Sequence, residues 1–353
     1  MKIMSLVGAR PQYVKETALN QVFKKHKIKE ILVDSGQHYD YNMAGAFFKT
    51  LGISNPQYNL GVGSGKHGEM TGKIMTEFEK VAEKENPDVI LVFGDTNTTL
   101  AGALVAAKLK IKLGHVEAGL RSVPKDMPEQ INRVVTDHIS DLLFTPSLHA
   151  NANLKKEGIT KGVYFTGDTT YDVFLKMKGK FNLKMNEKLK LEENSYVVVT
   201  LHRDYNVDNK IKLRKILINL NEINKENKIV FPMHPRTRKR IETFKLSKYI
   251  ENLLILEPLE YFDLMGLVSK CYKVVTDSGG LQKEAYFSGK HGITIRPDTE
   301  WHELIESGNN LLCNENNLLK QFYKTRDTHV KRGIYGDGNS GEKIVKILLK
   351  QKL

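Results

Sequence analysis

Short apolar runs and longer amphipathic stretches alternate from one end of this chain to the other. The apolar runs fall at residues 3–7, 30–34, 89–93, 113–116, 142–145 and 164–166, then at 196–200, 229–232, 253–256, 273–276 and 292–295. Each is short, rich in β-branched residues and bounded by Gly, Pro or Asp, the pattern of strands buried on both faces. Between them, residues 68–84, 98–108 and 210–224 place apolar side chains at helical spacing. Strand–helix alternation along a whole chain predicts parallel sheets covered by helices, an α/β fold. The same rhythm in both halves predicts two Rossmann-like domains.

Length points the same way. A chain of 353 residues exceeds the roughly 250–300 at which a single core stops growing. The expected division is an N-terminal domain over 1–170 and a second over 171–336, with a Lys-rich stretch from 176 to 192 after the boundary. Residues 337–353 follow the glycine-rich Tyr335-Gly336-Asp337-Gly338-Asn339 and predict a last helix, about 341–350, that returns to the N-terminal domain. No short repeat or low-complexity segment interrupts this plan.

Composition narrows the function classes. No apolar run approaches the ~20 residues of a membrane span, so membrane insertion is not expected. The start, Met1-Lys2-Ile3-Met4-Ser5-Leu6-Val7-Gly8, reads as a first strand rather than a secretory signal, which gives a cytoplasmic expectation. Two cysteines, Cys271 and Cys313, make neither a disulfide framework nor a Cys-rich metal site. The formal net charge of +13 suits nucleic acid, an anionic surface or an anionic small substrate. The lysines are spread through amphipathic helices, and no RNP, zinc-finger or basic-zipper pattern is present, so nucleic acid is not an expected partner. Most of the excess is a solvated surface. A minority of Arg and His follows strands, where it could hold phosphate.

Those strand ends carry the candidate chemistry, because in open α/β sheets ligands bind beyond the carboxyl ends of strands. Gly8-Ala9-Arg10-Pro11-Gln12 and Lys15 follow the first strand; a turn opening a helix offers backbone N–H groups to an anion, and Arg10 adds a bidentate donor. The plainer reading is a structural turn with a surface Arg. Gly94-Asp95-Thr96-Asn97-Thr98 follows the third run, where Asp95 is either a helix cap or a carboxylate facing a cleft near Glu117. Gly114-His115-Val116-Glu117-Ala118-Gly119-Leu120-Arg121 ends the next strand; two residues apart, His115 and Glu117 are expected on one face. Glu129 opens the following helix, with Arg133 one turn on. Carboxylates gathered at one place can be driven to different pKa values and serve as acid and base, while structural ion pairs are the bland alternative. Asp137-His138 further along reads as a packed structural pair.

In the second half, Thr200-Leu201-His202-Arg203 and Met233-His234-Pro235-Arg236 each end a strand with His beside Arg. Such a His is ordinarily a satisfied polar group; two with Arg favour phosphate. Thr276-Asp277-Ser278-Gly279-Gly280-Leu281-Gln282-Lys283-Glu284-Ala285 is the most specific motif here. Ser278, Gly279 and Gly280 allow close backbone approach at a helix start that favours a diphosphate, and Glu284 lies where a carboxylate can bind a ribose diol. An ordinary helix cap is the alternative. No HExxH, GxSxG or GxxxxGK[ST] spacing occurs, so no metal ligand set is expected.

These motifs taken together resemble the non-hydrolysing UDP-N-acetylglucosamine 2-epimerase family: GARPQYVK at 8–15, GQHYD at 36–40, GDTNTTLAGAL at 94–104, GHVEAGLRS at 114–122, MPEQINRVVTDHISD at 127–141, TLHR at 200–203, MHPRT at 233–237, TDSGGLQKEA at 276–285 and YGDG at 335–338. The resemblance runs nearly end to end. It implies a GT-B-like fold with UDP in the cleft, usually a homodimer, and an isomerase that eliminates UDP anti and adds it back through a bound 2-acetamidoglucal. It further implies acid–base roles for Asp95, Glu117 and Glu129, and a diphosphate contact for His202. Arg10, Ser278, Gly279, Gly280 and Glu284 would bind UDP, with Lys15 and Arg133 lining the cleft. No NAD, metal or other cofactor is implied. Gln37, His38 and His234 match part of the region where bacterial members are activated by UDP-GlcNAc.

Three positions depart from the common pattern: Gln12 where Glu follows Arg-Pro, Asp168 where Asn is usual, and Thr299-Glu300-Trp301-His302-Glu303 in place of Thr-Glu-Arg-Pro-Glu. They resemble a branch that includes 2-epimerases of UDP-2,3-diacetamido-2,3-dideoxy-glucuronate. The leading expectation is conversion of UDP-GlcNAc to UDP-ManNAc for surface glycans, with the diacetamido-uronate as its rival. A hydrolysing relative, a GT-B glycosyltransferase and a non-enzymatic UDP-sugar sensor are more remote.

Overall fold

The computed structural model describes residues 1–36, 52, 54–122, 126–324 and 330–351. The chain divides into two compact units. One comprises Met1–Met177 with Gly333–Leu353, the other Lys178–Arg332. The first division falls at 177/178 rather than 170/171, because the helix Thr169–Met177 packs against the helix Arg10–Lys25 of the first unit, and the second falls at 332/333 rather than 336/337, with Tyr335 O accepting from Asp168 N.

In the first unit seven parallel strands are β1 (Lys2–Val7), β2 (Lys29–Asp34), β3 (Tyr58–Asn59), β4 (Val89–Phe93), β5 (Lys112–Val116), β6 (Leu142–Thr145) and β7 (Val163–Phe165). Their order across the sheet is β3-β2-β1-β4-β5-β6-β7. The second unit has six: β8 (Tyr196–Thr200), β9 (Lys228–Pro232), β10 (Leu254–Leu256), β11 (Lys273–Thr276), β12 (His291–Ile295) and β13 (Asn310–Cys313), in the order β10-β9-β8-β11-β12-β13. Both are Rossmann-like parallel sheets, and the chain is an α/β protein of the GT-B-like class. In each, the order reverses beside the first strand, between β1 and β4 and between β8 and β11. Ligands bind outside the carboxyl ends of strands at such switch points.

The elements follow from residue pattern. All five residues of β4, Val-Ile-Leu-Val-Phe, are buried, as a central strand covered on both faces requires. The helix Lys210–Asn224 buries Leu213, Ile216, Leu217, Leu220 and Ile223 along one stripe, and Asn209 caps it by accepting from Ile211 N and Lys212 N at 3.0 and 3.1 Å. Two strands lie outside the predicted set, β3 and β13. Both are sheet edges, one of them two residues long, where no continuous buried run marks the sequence.

The last helix, Ser340–Leu349, packs on Arg10–Lys25 within the first unit. Gly341 permits that contact: a Cβ there would lie 2.5 Å from Ala18 O. Asp172, buried in the helix Thr169–Met177, accepts from Gly341 N at 2.8 Å and fixes the same end. Asp168 makes the neighbouring connection. Its carboxylate caps Thr170 N at 2.8 Å, and its own amide donates to Tyr335 O at 3.1 Å. Among the described residues no helix is long and apolar enough to cross a membrane.

Candidate active site

In the first unit the site is built on the switch point. Gln12 occupies it from the helix Arg10–Lys25. Its Oε1 accepts from Gly8 N at 2.9 Å and Ala9 N at 3.0 Å, while its Nε2 donates to Phe93 O at 2.8 Å and Thr99 Oγ1 at 3.0 Å. One buried amide thus ties the end of β1 to the end of β4. This corrects the expectation that the Gly8 turn offers its amides to an anion, since Gln12 consumes two of them. It also accounts for Gln at a position where Glu is common: a carboxylate accepts but cannot donate to the Phe93 carbonyl. Arg10 begins the helix and is exposed.

Lys15, buried one turn further, meets Glu117, with Nζ 3.1 Å from Oε1. Glu117 is not a strand residue. β5 ends at Val116, and Glu117 sits in the following turn with φ +74°, a left-handed conformation uncommon for a non-glycine residue. Such an outlier marks a position held by its surroundings. Here the holders are Phe144 O, which accepts from the Glu117 and Ala118 amides at 3.0 and 3.1 Å, and Lys15.

His115 and Glu117 therefore do not share a face. The His115 ring is fully buried, with Nδ1 2.7 Å from Asp137 Oδ1 and Nε2 2.8 Å from Gly94 O. Asp137 also accepts from Arg121 NH1 at 2.7 Å and Gly119 N at 3.1 Å. Burial opposes its charge, yet His115 and Arg121 outweigh that and hold the carboxyl below its ordinary value. Asp137 is paired with His115 and Arg121, not with the adjacent His138. The latter is exposed and contacts Val134 O through its own ring.

Asp95 is not the helix cap. Thr96 caps Asn97–Lys108, and the Asp95 carboxylate pairs with Arg133. Arg133 NH1 also donates to Ser122 Oγ at 2.9 Å, and the neighbouring Asn132 donates to Asp95 O at 2.9 Å. Gly94 joins the two carboxylates. A Cβ on it would stand 3.5 Å from Lys15 Nζ and 3.6 Å from Glu117 Oε1, and Asp95 is the next residue. Lys15, Asp95, Glu117 and Arg133 are thereby gathered around the carboxyl ends of β4 and β5. Glu129, on the exposed first turn of Pro128–Ile139, takes part in none of these contacts. Gln37 and His38 lie outside the described residues.

The switch point of the second unit centres on Asp277, fully buried after β11. It accepts from His202 N at 3.0 Å, Arg203 N at 2.9 Å and Asn206 Nδ2 at 3.2 Å, and its Oδ1 lies 3.1 Å from His202 Nδ1. Burial, with the charges of Arg203, His234 and Arg236, outweighs the attraction of Asp277 and pushes the His202 imidazole below its ordinary value. A neutral ring donating through Nδ1 to Asp277 presents Nε2 as an acceptor. The His234 ring is 5.5 Å from that of His202 and caps the helix Pro235–Thr243 by accepting from Arg236 N at 3.1 Å.

Beside Asp277, Ser278 caps Gly279–Phe287, its Oγ accepting from Leu281 N at 3.4 Å. Gly279 and Gly280 occupy the first two helical positions, and Glu284 is half-buried in the next turn. Two features here escaped the sequence reading. Asp277 reads as a strand terminator, whereas the fold makes it the anchor of the His202 loop. Trp301 Nε1 donates to Gly279 O at 3.1 Å, and Lys283 Nζ lies 3.8 Å from the indole centroid. Nothing in the spacing of 283 and 301 announces that pairing.

Other perturbed groups are structural. Lys273 is pushed down to about 8 by burial, but it begins β11, at the end opposite the switch point. The Cys271 and Cys313 thiols are each pushed up to about 12 by burial. Among the described residues no group of three or more His, Cys, Asp or Glu could hold a metal ion.

The family model described as UDP-N-acetylglucosamine 2-epimerase matches residues 20–349. A "UDP-N-acetylglucosamine 2-epimerase homolog" of Methanococcus maripaludis is 44% identical, covering 99% of each chain. A UDP-2,3-diacetamido-2,3-dideoxy-D-glucuronate 2-epimerase of Pseudomonas aeruginosa is 39% identical, covering 99% of this chain and 100% of that one. A Methanocaldococcus jannaschii UDP-GlcNAc 2-epimerase, solved in complex with UDP-GlcNAc and UDP, superposes with a TM-score of 0.85 at 41% identity over 99% of this chain and 100% of its own. Matched nearly end to end, the chain belongs to the UDP-N-acetylglucosamine 2-epimerase family and is an isomerase of that kind.

Proposed function

We propose that this protein interconverts UDP-N-acetylglucosamine and UDP-N-acetylmannosamine by eliminating UDP and adding it back. The observation that carries the reading is the Lys15–Glu117 pair in a left-handed turn beside Asp95, at the switch point of the first sheet. A carboxylate held in one orientation beside a buried lysine is placed to exchange a proton with a bound sugar.

In the forward direction a base removes the proton from C2 as the C1–O bond to UDP breaks. The C2–H electrons form the C1–C2 double bond, and the C1–O electrons leave with the β-phosphate. The products of this half-reaction are 2-acetamidoglucal and UDP. Re-addition of UDP at C1 with a proton delivered to the other face of C2 gives the epimer. Asp95, Glu117 and Glu129 divide the proton transfers. Arg10, His202, His234, Ser278, Gly279, Gly280 and Glu284 bind the nucleotide, and Lys15 and Arg133 set the charge of the carboxylates. Donors aimed at the departing diphosphate stabilise the charge that develops there. The same reading makes the protein a cytoplasmic homodimer that supplies a surface-glycan precursor.

A second substrate is favoured by one observation. Trp301 stands where the common pattern has Arg, and a relative named for the diacetamido-uronate is 39% identical. Incubating the protein separately with UDP-GlcNAc and with the diacetamido-uronate, then reading C2 configuration by NMR, tests both. UDP-ManNAc from the first incubation is the expected result. Turnover of the uronate alone would transfer the assignment to it, and free sugar instead of UDP-linked sugar would overturn elimination with re-addition.

A further inference from the structure

The turn opening Gly279–Phe287 is gripped by its carbonyls. Trp301 Nε1 donates to Gly279 O at 3.1 Å, and Gln282 Nε2 donates to Ser278 O at 3.2 Å. Thr299 joins the two: its Oγ1 donates to Gln282 Oε1 at 2.8 Å and accepts from Trp301 N at 3.2 Å. Gln282 and Thr299 are buried, and Trp301 is 6% exposed. One face of the indole carries the Lys283 ammonium, itself on a buried side chain.

A trans peptide unit is planar, with its C=O and N–H pointing in opposite directions. Holding Ser278 O therefore aims Gly279 N–H away from Gln282, and holding Gly279 O aims Gly280 N–H away from Trp301. These are the first two amides of the helix, which the helix itself leaves without acceptors. The third, Leu281 N, is already capped by Ser278.

We propose that Trp301 and Gln282 are positioning residues for the nucleotide: they lock two peptide planes so that the Gly279 and Gly280 N–H groups converge on the diphosphate. This rests on the assignment of the 278–280 turn to UDP. Trp301 is one of the positions at which the chain departs from the common family pattern. The flanking glycine fits the arrangement, since a Cβ at Gly279 would lie 2.8 Å from Glu300 Oε1.

The test uses the full-length protein and UDP. Trp301 is the sole tryptophan, so emission reports on this turn alone. UDP is titrated into the wild type by calorimetry and by fluorescence, and into Trp301→Phe by calorimetry with steady-state kinetics. The expected results are a shift of wild-type emission that saturates with binding, and a Kd for UDP about tenfold weaker in the variant, the scale of one lost hydrogen bond. KM should rise by a similar factor while kcat falls less than about threefold, because the grip acts on binding. Calorimetric UDP binding with unchanged wild-type emission overturns the positioning role, whether or not the variant folds. So does a folded Trp301→Phe with the wild-type Kd. Absence of UDP binding to the wild type overturns instead the nucleotide assignment on which the proposal rests.

Discussion

Glu117 combines a left-handed backbone with a buried ion pair. Left-handed geometry disfavours a non-glycine residue, and the fold accepts it while placing the carboxylate 3.1 Å from a buried lysine. Replacing Glu117 by Gln preserves size and removes the basic oxygen. We expect kcat to fall by about 10²–10⁴-fold, the usual scale for an acid–base group. Turnover of UDP-GlcNAc by a variant with an unchanged melting temperature measures this, and near-normal turnover would take Glu117 out of the catalytic set. Gln12 shows the limit of reading residues singly. As a sequence feature it is a deviation from a pattern; in the fold it is the amide that both accepts from Gly8 and Ala9 and donates to Phe93. Asp277 is the counterpart in the second unit, a buried acceptor for the His202 and Arg203 amides, the His202 ring and Asn206 Nδ2.

Among the elements, the helix Arg10–Lys25 carries most of the first switch point, with Arg10, Gln12 and Lys15 on its opening turns. Its attachment to the sheet includes a buried acid pair. Glu16 is fully buried opposite Glu30 of β2, which accepts from Ser5 Oγ and Asn20 Nδ2, each at 2.6 Å. Burial first, then the Glu30 charge, pushes the Glu16 carboxyl well above its ordinary 4.5; nearby Lys24 only partly offsets this. Glu30 is raised too, chiefly by burial. A folded-state pKa above the unfolded value means that the folded form holds the proton more tightly. The stabilisation is full below the unfolded value, near 4.5, and is lost as pH rises toward the folded pKa. Glu16→Gln cannot ionise, so its melting temperature relative to wild type should climb as pH is raised from 5 to 9. A difference that stays flat across that range would mean Glu16 holds no proton in the fold. At this scale the strands were largely legible. β4 and β8 are buried on both faces and spell that out in β-branched residues, while the edge strands β3 and β13 lack the continuous run that would reveal them.

For the whole molecule, the commitment is to a reaction in which C2 loses and regains a proton. In D₂O, product formed by the enzyme should carry deuterium at C2, and recovered substrate should acquire it as the reaction reverses. NMR of both sugars checks this; product made without label would rule out the proposed transfers. The excess positive charge, by contrast, proved uninformative about the reaction. It is spread over helical surfaces, while single cations at the strand ends are taken into partnership: Lys15 with Glu117, Arg133 with Asp95, Arg121 with Asp137.

The sequence alone was enough for the strands, the helices between them, the α/β class and the family. Burial on both faces demands apolar β-branched runs, amphipathic helices demand their own period, and the motifs at strand ends are contiguous. Tertiary structure decided which of those motif residues remain available for chemistry. His115 is consumed by Asp137 and Gly94, the Gly8 turn by Gln12, and Gly279 is gripped by a tryptophan 22 residues further on. In a parallel sheet, neighbouring strands are separated by a whole helix, so the partner of a side chain is set by strand order, and that order exists only once the sheet has formed.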